Sequence, residues 1–197
     1  MSNRNDIDRL ATEYNYIRDN MEKVVRLCAI LELPMFSHVK VRSLALVELY
    51  ASKIKALLER GAARDLFDVH NMIQSGIFDE THKPMLRKGV IFYSAVGGNQ
   101  KPSIPYSFET IERMSFKQIR ATLLPVLKKG TFYDLDGVKH VVCDYLKDLL
   151  KLTENEQLFI ARFNVNDYRP ELLFEDADIV ERIRNHPMAT WKTSKGG

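Results

Sequence analysis

Apolar residues recur three and four positions apart along nearly the whole chain, and this spacing limits the fold more than any other feature of the sequence. From Asp6 to Leu33 it marks one face of a single long helix, which Pro34 ends. The same periodicity returns from Leu46 to Leu58 and from Asp136 to Leu152. The sequence therefore predicts a mainly α fold, a helical bundle of roughly seven to nine helices.

Two stretches depart from the helical spacing. Between His38 and Arg42 apolar and polar side chains alternate, which is typical of an edge strand. The fold is therefore expected to contain at most a small strand or hairpin. The Gly97–Ser107 stretch is rich in Gly, Pro and Ser, and is the longest irregular segment. It is either a functional loop or hinge, or a plain surface connection.

Glycines and capping residues indicate where the individual helices end and begin. Gly61 ends the helix that starts near Leu46, and Gly76 ends the next one, which opens near Arg64. The helix that follows Ser115 is expected to continue through Leu127. The residues expected to cap the later helices are Asp79, Ser115, Thr153 and Asp176.

Composition excludes several classes of protein. The hydrophobic share of 45% can fill a core, and the net charge of +3 is too small to require a nucleic-acid partner by long-range attraction alone. Cys28 and Cys143 both lie on apolar helix faces, so a disulfide framework is not expected. No window approaches the roughly 18 apolar residues that a membrane span needs. These features predict a cytoplasmic protein with no membrane partner.

The Lys53–His70 stretch carries the residues most suggestive of chemistry. Lys53 falls among apolar neighbours rather than opposite them, and Asp65 and Asp68 stand three apart on the first turn of the next helix. A lysine that extends to solvent along an apolar surface, with acidic residues that complement the helix dipole, would explain all three without any ligand. Alternatively, Lys53 faces anionic phosphates while Asp65 or Asp68 helps to hold a divalent cation.

Other motifs are better explained as structural. The Asp134–Val138 segment, "DLDGV", resembles the nucleophile loop of haloacid dehalogenase phosphatases, but the buried strand that should precede such a loop is missing. The Asp-x-Asp pairs at Asp6 and Asp176 stand at helix starts, where capping accounts for them. The five histidines show no metal-ligand spacing.

The Leu46–Ile73 stretch, "LVELYASKIKALLERGAARDLFDVHNMI", resembles the signature of the AbiEii/AbiGii nucleotidyltransferase family. These bacterial proteins are the toxins of type IV toxin–antitoxin systems and of phage abortive infection. The segments Asp8–Leu31 and Tyr168–Lys192 resemble further parts of the same family. The resemblance covers almost the whole chain.

The resemblance implies an activity and a set of site residues. Family members transfer a nucleotide from a nucleoside triphosphate to an RNA or protein acceptor, and they use Mg²⁺. It implies that Lys53 contacts the nucleotide phosphates, that Arg64 binds the nucleotide or braces the site, and that Asp65 and Asp68 form the last acidic catalytic motif. No metal ligand is certain, and Asp65 or Asp68 would be one if any residue is.

The family's catalytic core is missing from the sequence. In the family, a Gly-Gly-Thr or Gly-Ser turn and an Asp-x-Asp pair on a strand follow the opening helix, within a polymerase-beta-like sheet. Here the chain passes from that helix to the His38–Arg42 stretch, so a segment on the order of 100 residues is absent. Three parts are expected: the long helix at 1–34, a remnant of the nucleotidyltransferase domain at 35–75, and a helical bundle at 76–197. This predicts a chain that is catalytically incomplete.

A second interpretation is a non-enzymatic helical binding module. Its partner would be transfer RNA, an antitoxin or an intact toxin. The basic residues Lys117, Arg120, Lys128 and Lys129 would suit such a surface, although a solvated face explains them equally well. Loss of a sheet would also leave apolar helix faces uncovered, which favours a homodimer.

Overall fold

The computed structural model describes residues 44–98, 101–127 and 132–194. Within these residues all regular structure is helical, which confirms the mainly α fold. The α-helices are α1 (Leu46–Arg60), α2 (Ala63–Gln74), α3 (Lys83–Gly97), α4 (Glu109–Glu112), α5 (Phe116–Thr122), α6 (Leu135–Leu149), α7 (Glu154–Asn164), α8 (Ala177–Arg184) and α9 (Pro187–Ser194). Two short 3₁₀ helices span Leu124–Val126 and Pro170–Leu172. The predicted helix at 6–33 and strand at 38–42 lie outside the described residues.

The chain divides into two compact units, Met1–Leu49 and Tyr50–Gly197. Only residues 44–49 of the first unit are described, so the account below concerns the second. The predicted division into 1–34, 35–75 and 76–197 stays a prediction.

A tight turn joins α1 to α2 and brings the two helices together as a hairpin. Gly61 adopts a φ of +58°, which a side chain would disfavour, and a Cβ there would lie 2.8 Å from the carbonyl oxygen of Thr110. The Thr110 hydroxyl in turn donates to the carbonyls of Leu57 and Leu58 at the end of α1. Thr110, just inside α4, thus holds the end of α1 in place.

The core lies on both sides of α3. On one side α3 contacts α7 and α9, and on another it contacts α6, which also lies against α2. Phe92 of α3 makes edge contacts with Phe174 and with His186, at centroid distances of 6.4 and 5.3 Å. The largest fully buried side chains include Ile54, Leu57, Leu66, Met72, Leu86, Ile91, Leu146 and Phe159. This packing fixes the hairpin against the rest of the unit.

Most predicted helix starts are confirmed. Thr153 and Glu156 form the expected capping box at α7, Ser115 does the same with Gln118 at α5, and Asp176 accepts from two backbone N–H groups at the start of α8. The expected cap at Asp79 was wrong. Its carboxylate accepts from backbone N–H groups in the turn before α3, and the N-cap position belongs to His82.

Two helix ends differ from the prediction. α5 stops at Thr122 rather than Leu127, because Pro125 cannot donate to the helix ladder and a 3₁₀ turn replaces the last turn. α6 runs from Leu135 to Leu149, which is shorter at its end than the predicted Leu152. The capping box that follows begins a new helix and so sets this limit.

The expectations about disulfides and membrane spans can be compared with the described residues. Cys143 is buried on α6 and has no disulfide, and burial raises the pKa of its thiol. None of the described helices is long and apolar enough to cross a membrane.

Candidate functional site

The ammonium group of Lys53 lies between two carboxylates of α2. Its Nζ is 2.7 Å from Oδ2 of Asp68 and 3.5 Å from Oδ1 of Asp65. The hydrogen bond with Asp68 raises the pKa of Lys53 above its ordinary value, although partial burial acts in the opposite direction. The lysine therefore stays charged at neutral pH, and its side chain is about one-third exposed.

Asp65 is the buried member of this group, with a side chain only 2% exposed. Its other oxygen, Oδ2, accepts from Nε of Arg60 at 2.8 Å and lies 2.7 Å from Nη2 of the same residue. Each oxygen of Asp65 thus faces a cation of α1, since Oδ1 lies near Lys53 and Oδ2 binds Arg60. Asp68 differs because its side chain is 39% exposed.

Arg60 is a site residue that the sequence did not reveal. A basic residue in the last turn of a helix is commonplace, because it complements the helix dipole. Its position directly before the Gly61 turn is the one signal that could have pointed to it, since the turn folds α1 back along α2. Five residues separate Arg60 from the carboxylate that it binds.

Arg64 lies elsewhere. Its Nε donates to the carbonyl oxygen of Thr122, at the end of α5, over 3.2 Å, and the residue is exposed. The bracing of the acidic pair that was expected of Arg64 is supplied by Arg60. The structure therefore brings together Lys53, Asp65 and Asp68, while Arg64 links α2 to α5.

Tyr50 completes the surroundings of the ion pairs. It stands three residues before Lys53 on α1, and its ring meets that of Phe78 edge-on, with centroids 5.8 Å apart. Burial raises the pKa of Tyr50, and the negative charge of Asp68 adds to this effect. The phenol is therefore neutral beside the cluster and can act as a hydrogen-bond donor.

The described residues do not fit a metal centre on their own. Nowhere in the ranges 44–98, 101–127 and 132–194 do three His, Cys, Asp or Glu side chains group in a way that could hold a metal ion. Within the cluster, both Asp65 oxygens are taken up by cations, and Asp68 already faces an ammonium group. Mg²⁺ requires several oxygen ligands in near-octahedral geometry, so Asp68 alone could contribute one of them.

Two other acidic motifs are helix caps, which the sequence predicted for Asp176 but not for Asp134. Asp134 accepts from the backbone N–H of Gly137 at the start of α6, and Asp176 does so from Asp178 and Ile179 at α8. Neither carboxylate stands at the end of a strand. The pair that begins at Asp6 lies outside the described residues.

Comparison with known proteins identifies the family. The model of the nucleotidyl transferase AbiEii toxin family, of type IV toxin–antitoxin systems, matches residues 16–131, which is more than half of the 197-residue chain. No curated protein and no solved structure matches the chain. The matched range includes the whole α1–α2 hairpin and its ion pairs. The chain therefore belongs to the AbiEii nucleotidyltransferase toxin family.

Proposed function

We propose that the α1–α2 hairpin is the phosphate-contacting part of a nucleotidyltransferase site, and that this chain by itself transfers no nucleotide. The observation that carries the proposal is the charged Lys53 ammonium, held between Asp65 and Asp68 on an open face of the hairpin. Two of its three N–H donors point to carboxylates, which leaves one for a phosphate oxygen.

The two carboxylates have different parts in this proposal. Asp65 is fixed by Arg60 and holds Lys53 in one orientation, so it is a positioning residue. Asp68 forms a partly exposed pair, and such pairs contribute little net stability. An incoming triphosphate can therefore displace Asp68 from Lys53 at low cost.

Incomplete catalysis follows from the chemistry of the donor set. Nucleotidyl transfer relies on metal ions that clamp the triphosphate and activate the attacking hydroxyl. The family's Asp-x-Asp pair on a strand would supply most of the ligands, and the sequence between the opening helix and α1 contains no such pair. Lys53 can bind phosphate and Asp65 can hold the lysine in position, but Lys53, Asp65 and Asp68 do not supply this set of metal ligands.

The experiment is transfer of label from each of the four α-³²P nucleoside triphosphates, with Mg²⁺, to transfer RNA and to total protein. We expect no incorporation above a control without the protein. Robust incorporation would show that the chain is a complete enzyme and would overturn the proposal.

Binding tests the phosphate contact separately. We expect the wild-type protein to bind ATP or GTP weakly, and Lys53→Met to reduce that affinity about tenfold, since one charge-assisted hydrogen bond to phosphate is lost. Lys53→Arg should retain part of it. Lys147→Gln, which removes an exposed lysine on α6, is the matched control. Equal affinities for wild type and Lys53→Met would contradict the role of Lys53.

The binding-module interpretation has one supporting observation. Lys117 and Arg120 stand three apart on α5 and are both exposed, so they share a face of that helix. Transfer RNA is the partner that this pair would suit, and an antitoxin is the partner that the family implies. Salt-dependent binding of transfer RNA that a Lys117→Gln, Arg120→Gln double variant abolishes would favour this second function.

A further inference from the structure

A cleft of about 410 Å³ opens on the side of α1 that faces away from Lys53. Lys55 stands two residues after Lys53, and two helical residues are separated by roughly 200°, so the two lysines project in nearly opposite directions. The cleft lies between α1, the end of α3 and the loop before α4. Its polar lining comprises Lys55, Ser94, Lys101, Ser103, Tyr106 and Ser107, with Glu59 as the acidic residue.

Two lysines line this cleft. Lys55 donates to the carbonyl of Gly97 over 2.9 Å and pairs with Glu59 at 2.6 Å, and these bonds use two of its three donors. Lys101, from the loop, donates to the carbonyl of Asn164. Each lysine thus keeps donor capacity beyond the bonds that position it.

A third lysine adds to the local positive charge. Lys192 of α9 donates to the carbonyls of Ala95 and Gly98 at the end of α3. Burial lowers the pKa of Lys192, and the nearby charge of Lys55 lowers it further, while Glu59 acts in the opposite direction. Lys55 and Lys192 therefore both bind carbonyls at the end of α3, and Glu59 is an acidic residue that acts on both of them.

Hydroxyl groups supply the neutral donors. Ser94 is 8% exposed on α3, whereas Ser103 and Ser107 lie on the exposed loop. The hydroxyl oxygen of Tyr106 is buried and has no hydrogen-bond partner of good geometry. Burial raises the pKa of Tyr106 to about 12, although the Ser94 hydroxyl acts in the opposite direction, so the phenol remains a protonated donor.

We propose that this cleft binds the phosphate group of a small ligand, such as inorganic phosphate or a nucleoside monophosphate. A phosphate group carries about 1.5 to 2 negative charges at neutral pH and several acceptor oxygens, and two lysines and four hydroxyl-bearing residues line the cleft. Its volume lies within the range of about 300–1,000 Å³ typical of small-ligand sites. Lys53 is not among the residues that line this cleft.

The experiment is a titration of the full chain with inorganic phosphate and, in a separate arm, with adenosine monophosphate, followed by calorimetry and by ³¹P NMR line width. We expect saturable binding of at least one of the two. Tighter binding of the monophosphate would identify the sugar and base as part of what is recognised, and equal binding would identify the phosphate alone.

Variants assign the binding to the cleft. Lys101→Gln should weaken binding about tenfold by removing a charge-assisted bond, and Ser103→Ala, on the exposed loop, should weaken it less without affecting folding. Lys88→Gln is the matched charge control. It lies nine residues before Gly97 on α3, about 13 Å along the helix, where it pairs with Glu175.

Three results would overturn the proposal. The first is the absence of saturable binding of either probe at millimolar concentration. The second is equal weakening by Lys101→Gln and Lys88→Gln, which would indicate surface charge alone. The third is loss of binding in Lys53→Met with full binding in Lys101→Gln, which would place the ligand at the hairpin and would support the proposed function instead.

Discussion

Asp65→Asn is the substitution that most directly tests how the ion pairs hold the hairpin. Asn keeps the shape of the side chain but removes the charge that faces two cations. The change weakens the contacts of Asp65 Oδ2 with Arg60, at 2.8 and 2.7 Å, and that of Oδ1 with Lys53 at 3.5 Å. The protein is therefore expected to lose stability.

The size of the loss follows from the exposure of the partners. Breaking a fully buried pair costs about 3–5 kcal/mol, because an uncompensated charge stays buried. Here the side chains of Arg60 and Lys53 are 65% and 34% exposed, so water can solvate both cations once Asp65 is neutral. Hydrogen bonds to charged groups contribute about 1.5–3 kcal/mol, and a loss of about 2 kcal/mol is expected.

Asp68→Asn is the matched comparison within the same cluster. The Asp68 carboxylate also pairs with Lys53, at 2.7 Å, but it is 39% exposed, and exposed pairs contribute below about 1 kcal/mol. Urea unfolding followed by far-ultraviolet circular dichroism measures both values from the midpoint and slope. In thermal melts, Asp65→Asn should lower Tm by about 4–8 °C.

The reasoning is refuted if the two variants lose equal stability. A loss for Asp65→Asn below about 0.5 kcal/mol would also refute it, because that value is what an exposed surface substitution gives. Arg60→Gln separates the two cations that bind Asp65. It should cost at least as much as Asp65→Asn if Arg60, rather than Lys53, is the principal partner, because the buried Asp65 carboxylate then keeps its charge without that partner.

Three further predictions follow from other parts of the structure. Burial lowers the pKa of His186, so the unfolded chain binds its proton more readily. Stability should therefore fall as pH drops below about 6.5, and His186→Phe should weaken that dependence in urea midpoints measured from pH 5 to 7.5, leaving the part due to His70, whose pKa burial also lowers; an unchanged dependence would contradict this. Gly61→Ala should cost more stability than Gly76→Ala, since both have positive φ, about 1 kcal/mol of strain each, but only Gly61 has a carbonyl 2.8 Å from the added methyl; equal losses would contradict this. Glu156→Gln should cost about 3 kcal/mol, because Glu156 is 1% exposed and accepts from Arg87 through both oxygens at 2.9 Å; a loss under 1 kcal/mol in urea unfolding would contradict this.

Local signals in the sequence sufficed for most of the helices. The 3.6-residue periodicity and the glycine at position 61 locate α1 to within two residues of its observed end, Arg60. The capping box of Thr153 and Glu156 marks the start of α7, because each of these side chains accepts a hydrogen bond from the backbone N–H of the other residue. Both signals act within a few residues of the chain, so neither depends on tertiary packing.

The site was only partly predictable from the sequence, because some of its contacts depend on tertiary packing. Helical geometry places Asp65 and Asp68 on one face, and a turn after α1 brings that face toward Lys53. The partner of Asp65 depends on how two helices cross, which periodicity does not determine. Arg60 makes this contact, whereas Arg64, which the resemblance implies as the bracing residue, donates to Thr122. The 410 Å³ cleft could not be predicted from the sequence, because it forms where α1, the end of α3 and a loop meet.

Asp68 is the residue at which folding and phosphate contact can be separated. The Arg60–Asp65 pair involves neither Asp68 nor a phosphate, so its contribution to stability can be measured apart from ligand binding. Lys53 contacts the structural carboxylate Asp65 as well as Asp68, and in the proposed function it also contacts phosphate. In that proposal Asp68 competes with phosphate for the same ammonium group, and its partly exposed pair adds little to stability. If Lys53 binds triphosphate without metal, Asp68→Asn should therefore tighten that binding while leaving the unfolding midpoint nearly unchanged; weaker binding would mean that Asp68 contacts the ligand through a cation. A titration with ATP, carried out with EDTA and then with Mg²⁺, distinguishes these two roles.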